Sequence, residues 1–424
     1  IQRSRGLGDV YKRQVYMHLT TAINTTMKGP GTLVNKCVYI DRGYEFNTIV
    51  DHGKRQVKVK PCCYAHWGLI PVDVKQPMQV FETNEAITNN PVIQWFRDVN
   101  KTGTLPKTCK ACTTLESQGG KSPRIAGNND YDPDYDIFIL DVHTGNECNL
   151  ACAMCNPYSS SLIAKESRKH TGSYVPKNWS IEMADEQDSA VTFEQVDQIM
   201  KKHTVQIVKF KGGEPLLKRN WINIKRGLED GQYANTWLRM TTNGTNISKD
   251  VLDALSLAKK VNISISVDGL GAVGEFIRWP QTAEKINQTL DNIANNPYEH
   301  ITFNTTTIVN ILNIGDIENI HNKCKDVAKR VSFDFDIKPE GHPLDYRNIP
   351  PEIRKKIRNS IDPNIMFKGG NVPLRNFIDI EHKGYSNPEE VRRTLDWFED
   401  HRGQDLIHVL HPEVYKWYES LHAS

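Results

Sequence analysis

No stretch of this 424-residue chain comes near the roughly 18 uninterrupted apolar residues that a membrane span needs. The chain is therefore read as soluble, with no membrane partner expected. A dominant charge is missing too, since 53 Lys and Arg stand against 51 Asp and Glu. Even that excess falls on Ile1–Gln14, where Arg3, Arg5, Lys12 and Arg13 face Asp9 alone. The run Gly8-Asp9-Val10-Tyr11-Lys12-Arg13-Gln14 is similar to the in-frame translation of a sequencing-adapter end, so residues 1–14 are expected to be a scar and not part of a domain. Without them 49 basic residues face 50 acidic ones, and no electrostatic argument remains for a polyanion such as RNA.

The even cysteine set of a disulfide framework is also lacking. Of nine Cys, eight fall in two groups before residue 156, and Cys324 stands alone. An odd, clustered count suits metal chemistry in a reducing cytoplasm better than crosslinks. There is no solenoid repeat and no low-complexity tract, and the length allows two to four domains.

From about Asp136 one plan repeats: a short β-branched run, a connection, then an amphipathic helix. The spacing predicts strands at Asp136–Val142, Val205–Lys211, Trp237–Thr241, Val261–Val267, Ile301–Val309 and Val331–Ile337. Between them apolar residues recur at three and four, as in Phe193, Val196, Ile199, Met200 and in Ile286, Leu290, Ile293. Six alternating units imply parallel strands, and periodicity leaves open a doubly wound sheet or a partial barrel. Before residue 130 the pattern reads as turns and short strands with few helices. The polar segment Gln118–Asp134 is the expected boundary. The expected division is 15–130, a cysteine-rich module; 131–345, the βα region; and 346–424, a helical extension with helices around Val391, Leu395, Phe398 and around Val414, Tyr418, Leu421.

Directly after the first strand stands Cys148-Asn149-Leu150-Ala151-Cys152-Ala153-Met154-Cys155. Three thiolates on one tight loop can take three corners of a cubane iron–sulfur cluster and leave one iron open to an exogenous ligand. A zinc site or three buried thiols are the alternatives, although zinc sites more often draw four ligands from two pairs. Met154 is expected to cover the site, and His143 is either a neighbour of it or a structural histidine.

The Cys148-x3-Cys152-x2-Cys155 motif, followed by Lys211-Gly212-Gly213-Glu214-Pro215, Met240-Thr241-Thr242-Asn243-Gly244 and Ser266-Val267-Asp268-Gly269 with Arg278, each after a successive strand, resembles the radical S-adenosylmethionine (SAM) enzymes. The resemblance covers roughly residues 135–340. It implies a partial (β/α)6 barrel whose cluster, a [4Fe–4S] held by Cys148, Cys152 and Cys155, chelates SAM through the open iron. It further implies that Gly212 and Gly213 admit the ligand without a Cβ in the way and that Glu214 beside Pro215 receives the methionine ammonium. Thr242, Asn243, Ser266, Asp268 and Arg278 complete the cofactor-binding set. Ser266 and Arg278 could equally be a strand-end hydroxyl and a surface arginine, and Asp268 a turn residue.

Cys37, Cys62, Cys63, Cys109 and Cys112 resemble the cluster-binding elements of twitch or SPASM-like modules, which are found on radical SAM enzymes that modify peptides. The implied auxiliary [4Fe–4S] ligands are Cys37, Cys62, Cys109 and Cys112, with Cys62 and Cys63 alternatives at one corner. Two cysteine pairs also suit structural zinc. The expectation is thus a radical SAM enzyme acting on a peptide or protein, reduced by a partner such as flavodoxin or ferredoxin. Modification of a nucleotide or RNA is one alternative; a zinc-stabilised, non-enzymatic binding protein is the other.

Overall fold

Along Val261–Ser266 and Ile301–Ile308 buried and half-buried residues alternate without exception. That is the period of strands with only one face in an apolar core. The computed structural model describes residues 36–51, 54–71, 73–74, 89–117, 120–169, 192–335, 342–367, 372–382 and 388–423; the expected scar at 1–14 lies outside them.

Before the βα region, the chain forms helix α1 (Val38–Arg42) and a hairpin of β1 (Gly43–Asp51) and β2 (Lys54–Lys60). Helices α2 (Pro91–Lys101), α3 (Lys110–Ser117) and α4 (Pro123–Asp130) follow. These helices correct the reading of few helices before residue 130. Asn90 and Ser122 accept free N–H groups in the first turns of α2 and α4, each with proline in that turn, so capping fixes where both helices start. The expected boundary segment itself carries α4, docked through Arg124 on Glu116 and through Gly127 under the Tyr39 ring.

Strands β3 (Ile137–His143), β4 (Val205–Lys211), β5 (Trp237–Thr242), β6 (Lys260–Ser266), β7 (Ile301–Ile308) and β8 (Arg330–Asp334) are the six expected ones, each within a few residues of its predicted bounds. The sheet runs β2-β1-β3-β4-β5-β6-β7-β8, antiparallel only within the hairpin. A doubly wound sheet would reverse its strand order partway. Here β3 to β8 run in strict sequence, which is the order of a partial barrel. The hairpin extends the sheet at β3, because β1 pairs in parallel with β3.

Between strands lie α5 (Ser161–Lys169), α6 (Phe193–Lys202), α7 (Lys218–Glu229), α8 (Lys249–Leu255), α9 (Gly271–Ile277), α10 (Ala283–Ala294) and α11 (Ile317–Cys324). Their apolar stripes, such as Val196, Ile199, Ile224 and Leu290, meet Val208, Phe210, Leu238 and Ile263 in one continuous core. Cys324 is buried in that core as a lone thiol. The extension forms α12 (Pro351–Ser360), α13 (Pro388–Arg402) and α14 (Pro412–Ser420), with Val391, Leu395, Phe398, Val414 and Tyr418 buried as expected.

The face turned away from the helices is polar, with Asp141 in register with Lys209, Lys209 with Arg239, and Arg239 with Asn262. Parallel strands covered on both faces would read as unbroken apolar runs, so this face lines an interior that is not an apolar core. At its edge Glu45 of β1, nearly fully buried, takes Lys60 at 3.0 Å and also Lys211, while Asp141 takes Lys209 at 3.1 Å and Lys211 at 3.2 Å. Burial pushes the Glu45 carboxyl up, but Lys211 and Lys60 outweigh it and bring it down to about 2. A carboxyl held below its unfolded value contributes stability that is complete above about pH 4.5 and lost as pH falls towards 2. Glu45→Gln is expected to destabilise the protein at pH 7 by about 3–5 kcal/mol, seen as a lower midpoint of thermal unfolding, since it leaves buried ammonium groups short of a partner. The same change should flatten the pH dependence of unfolding between pH 4.5 and 2, measured by circular dichroism of the metal-free protein.

Candidate active site

The loop after β3 carries the three clustered cysteines, and its backbone is tied on several sides. Ala151 N–H donates to Trp279 O (2.7 Å) and Ala153 N–H to Ile277 O (2.8 Å), while Cys155 N–H donates to Cys152 O (3.0 Å). The Ser160 hydroxyl holds Leu150 O at 2.6 Å, and the Asn146 amide holds Pro157 O at 3.0 Å. So fixed, Cys148, Cys152 and Cys155 line one cavity of about 240 Å³. Its other walls include Gly212, Gly213, Thr242, Asn243, Ser266 and Arg278, all expected from sequence. Leu150, Met154 and Ile308 supply an apolar part of the lining, and Met154 is buried in the adjoining core as well. Asn156, Ser159 and Thr241 also line the cavity and were not foreseen. Asn156 and Ser159 directly follow the cysteine motif, and that adjacency was the available signal.

In the structure the glycine pair faces the cysteine loop. Gly212 has φ +139°, a conformation that favours glycine, and a Cβ there would lie 2.7 Å from Gly145 O and 2.9 Å from Thr144 N. A Cβ on Gly213 would collide with Glu147 O. The two loops are joined by Gly213 N–H on Gly145 O (2.8 Å) and Glu214 N–H on Glu147 O (2.7 Å). The missing side chains make room first for the cysteine loop itself.

Glu214 stands behind the cavity and not on its wall. Its buried carboxylate accepts from the Thr242 hydroxyl (2.6 Å), Asn243 N–H (2.6 Å) and Leu216 N–H (2.9 Å). Burial raises its pKa, and these three donors act in the opposite direction. Pro215 is buried with it and is absent from the lining. Asn243, positioned in this way, directs its amide to Cys148 Sγ at 3.8 Å and to Asn149 Oδ1 at 2.8 Å.

Arg278 is no surface residue. It forms an ion pair with the fully buried Asp268 and donates to Cys152 Sγ at 3.5 Å. Asp268, read from sequence first as a turn residue, also accepts Ile308 N–H at 2.7 Å, which ties β6 to β7. Burial raises the Asp268 pKa against the pull of Arg278. It likewise pushes Cys155 up to about 12 and raises Cys148 and Cys152, with Arg278 drawing Cys152 down. Bare thiols here hold their protons, and a bound cation would supply the charge that favours thiolates. His143 accepts Gly145 N–H on Nδ1, and burial lowers it to about 4, so it is a neutral structural group.

The five earlier cysteines divide. Cys37, Cys62, Cys109 and Cys112 line one cavity with Tyr64 and Arg124. Cys63 is exposed and lines a separate cavity of about 110 Å³ on the polar face, beside Asp141, Lys209 and Arg239. Among the described residues no three His, Cys, Asp or Glu side chains converge tightly enough to hold a single metal ion. Both thiol groups ring a cavity instead.

Six sequential parallel strands with a three-cysteine loop at their carboxyl ends define a partial βα-barrel domain with a cysteine-lined cavity. The sequence profile of the Radical SAM superfamily matches residues 142–324, so this region of the chain carries a radical SAM domain. That family implies a [4Fe–4S] cluster and SAM. A GTP 3',8-cyclase of Rhodopirellula baltica is 23% identical over 180 residues, 40% of this chain and 42% of that protein. A protein of Methanocaldococcus jannaschii named probable GTP 3',8-cyclase is 25% identical over 246 residues, 54% of this chain and 71% of its own. Among solved structures, anSMEcpe with bound AdoMet and a peptide is 17% identical at a TM-score of 0.35, covering 52% of this chain and 59% of that one. Streptococcus suis SuiB bound to its precursor peptide SuiA is 14% identical at a TM-score of 0.38, covering 67% and 54%.

Gly213→Ala is expected to weaken retention of iron by about tenfold, the scale at which residues behind metal ligands act, because the cysteine loop must move to admit the methyl group. Iron content after challenge with a chelator is the measurement. Glu214→Gln should reduce SAM-dependent activity while leaving iron content near wild type, since it turns an amide toward donors that need an acceptor.

Proposed function

We propose that Cys148, Cys152 and Cys155 hold the [4Fe–4S] cluster, that the adjoining cavity seats SAM, and that the enzyme acts on a peptide or protein. One observation carries the first two parts: three thiols share a cavity with side-chain N–H groups of Asn243 and Arg278 directed at two of their sulfurs. When bound, the cluster and SAM together supply a 5'-deoxyadenosyl radical able to abstract hydrogen from carbon. The chain's own part is binding, orientation and exclusion of water.

Arg278 and Asn243 offset negative charge on the sulfurs, and Asp268 balances Arg278 so that the site as a whole is not strongly cationic. Gly212 and Gly213 present backbone without side chains to the ligand. Ser266, Thr242 and Asn243 offer polar groups for the methionine and ribose ends. Glu214 acts through Thr242 and Asn243, holding both in place. Leu150, Met154 and Ile308 keep water from the reacting end of the cavity.

Cys37, Cys62, Cys109 and Cys112 fit an auxiliary cluster better than any set that includes Cys63, because all four line one cavity and Cys63 is not on its wall. The peptide or protein substrate rests on the likeness of this cysteine module to those of peptide-modifying enzymes. A second reading, a nucleotide substrate, is favoured by the relatives named GTP 3',8-cyclase and by Lys209 and Arg239 on the polar interior face. A low-potential electron donor such as flavodoxin or ferredoxin is the expected reductant.

Anaerobic reconstitution is expected to give about eight iron per chain, and Cys148→Ala about four with no 5'-deoxyadenosine formed. Cys62→Ala should also retain about four while Cys63→Ala keeps the wild-type amount. Zinc in place of iron after anaerobic purification, or normal deoxyadenosine formation by Cys148→Ala, would overturn the assignment. Product analysis with GTP against candidate peptides separates the two substrate readings.

A further inference from the structure

The C-terminal extension reaches the cysteine loop through one side chain. Arg402, the last residue of α13, is almost fully buried although it lies some 250 positions from the loop it touches. One Nη donates to Ala151 O at 2.6 Å and the other to Phe276 O at 2.7 Å. The guanidinium lies over the Phe398 ring at 4.3 Å, and Phe398 meets Phe276 edge-on at 5.9 Å. Gly403, at φ +61°, turns the chain away directly afterwards, so the arginine sits at a closed helix end where a cation is favoured.

The two carbonyls matter because of what stands beside them. Ala151 directly precedes Cys152, and Phe276 stands two residues before Arg278. The two segments already pair through Ala151 N–H on Trp279 O and Ala153 N–H on Ile277 O. Arg402 bridges the same two segments from the side of α13. The pair it clamps is the one that sets Arg278 at 3.5 Å from Cys152 Sγ. A planar fork with separated donors can hold two carbonyls at once, which a single ammonium does less well. Packing between Phe276 and Phe398 alone would be served by an apolar side chain without the desolvation of a guanidinium.

We infer that Arg402 is a positioning residue for the cluster: from the C-terminal extension it locks the cysteine loop against α9 and thereby fixes Cys152 relative to Arg278. This rests on the reading of Cys148, Cys152 and Cys155 as cluster ligands. The role is structural at the loop and electronic at the sulfur, since a loop that shifts alters the hydrogen bond that Cys152 accepts, and such bonds tune cluster potential.

The test compares reconstituted wild type with Arg402→Met, Arg402→Lys and, as a packing control, Phe398→Leu. The readouts are the rate at which a chelator removes the cluster whose electron paramagnetic resonance signal responds to SAM, and that cluster's midpoint potential. Arg402→Met is expected to lose this cluster about tenfold faster than both wild type and Phe398→Leu and to shift its potential, with Arg402→Lys intermediate. Loss no faster than in Phe398→Leu, with the potential unchanged, overturns the inference. If Arg402→Met does not fold, Arg402→Lys decides by the same comparison. A wild type that takes up no SAM-responsive cluster refutes the reading of the cysteines, and is thereby told apart from a failure at Arg402.

Discussion

Two loops at the ends of neighbouring strands can share one cavity only if one of them lacks side chains where they meet. Gly212 and Gly213 meet that constraint, and the cysteine loop lies against them backbone to backbone. From this contact the other placements follow. Gly213 and Glu214 N–H groups take the carbonyls of Gly145 and Glu147, just before Cys148, and the Glu214 carboxylate reaches onward to the end of β5. Three strand ends are thereby registered with one another by the chain's own hydrogen bonds. Preorganisation of this kind spares a site from reordering when it binds its ligand.

The electrostatics of the cavity are arranged as alternating charge. Asp268 is buried and faces Arg278; Arg278 faces Cys152; Arg402 lies on the far side of the same loop. A buried ion pair is weak as a source of stability, because desolvation offsets most of the attraction. Its presence beside a thiol suits a site that must hold thiolate charge in an apolar surrounding. The polar interior face continues this pattern away from the cysteines, with Lys60, Lys209 and Lys211 sharing Glu45 and Asp141. That network also binds the β1–β2 hairpin to the barrel edge, so the cysteine-rich segment and the barrel share one sheet.

Much of this was legible in the sequence because the signals were local. The six strands follow from β-branched runs, and the cysteine triplet from its spacing. The sequential motifs placed Asn243, Ser266 and Arg278 on one cavity with the thiols. What escaped was set by contacts between distant segments. The parallel pairing of β1 with β3 joins strands some 90 residues apart. Glu214 had a motif but not its partners, Thr242 and Asn243. Asp268 looked like a turn residue because Gly269 follows it, and its ion pair with Arg278 depends on how the chain after α9 folds back. Arg402 carries no sequence signal, since a helix-terminal arginine followed by glycine is ordinary on a protein surface. The strict alternation in β6 and β7 was a further local clue, and it marks the polar interior.

The central claim is that Cys148, Cys152 and Cys155 hold a cluster with one open iron that faces SAM across the cavity. Electron–nuclear double resonance on the reduced, reconstituted protein, with SAM isotopically labelled at its methionine nitrogen, tests this directly. The account predicts a hyperfine coupling from the labelled nitrogen to the cluster, abolished in Cys152→Ala. A cluster signal of full intensity that shows no such coupling at saturating SAM would contradict it.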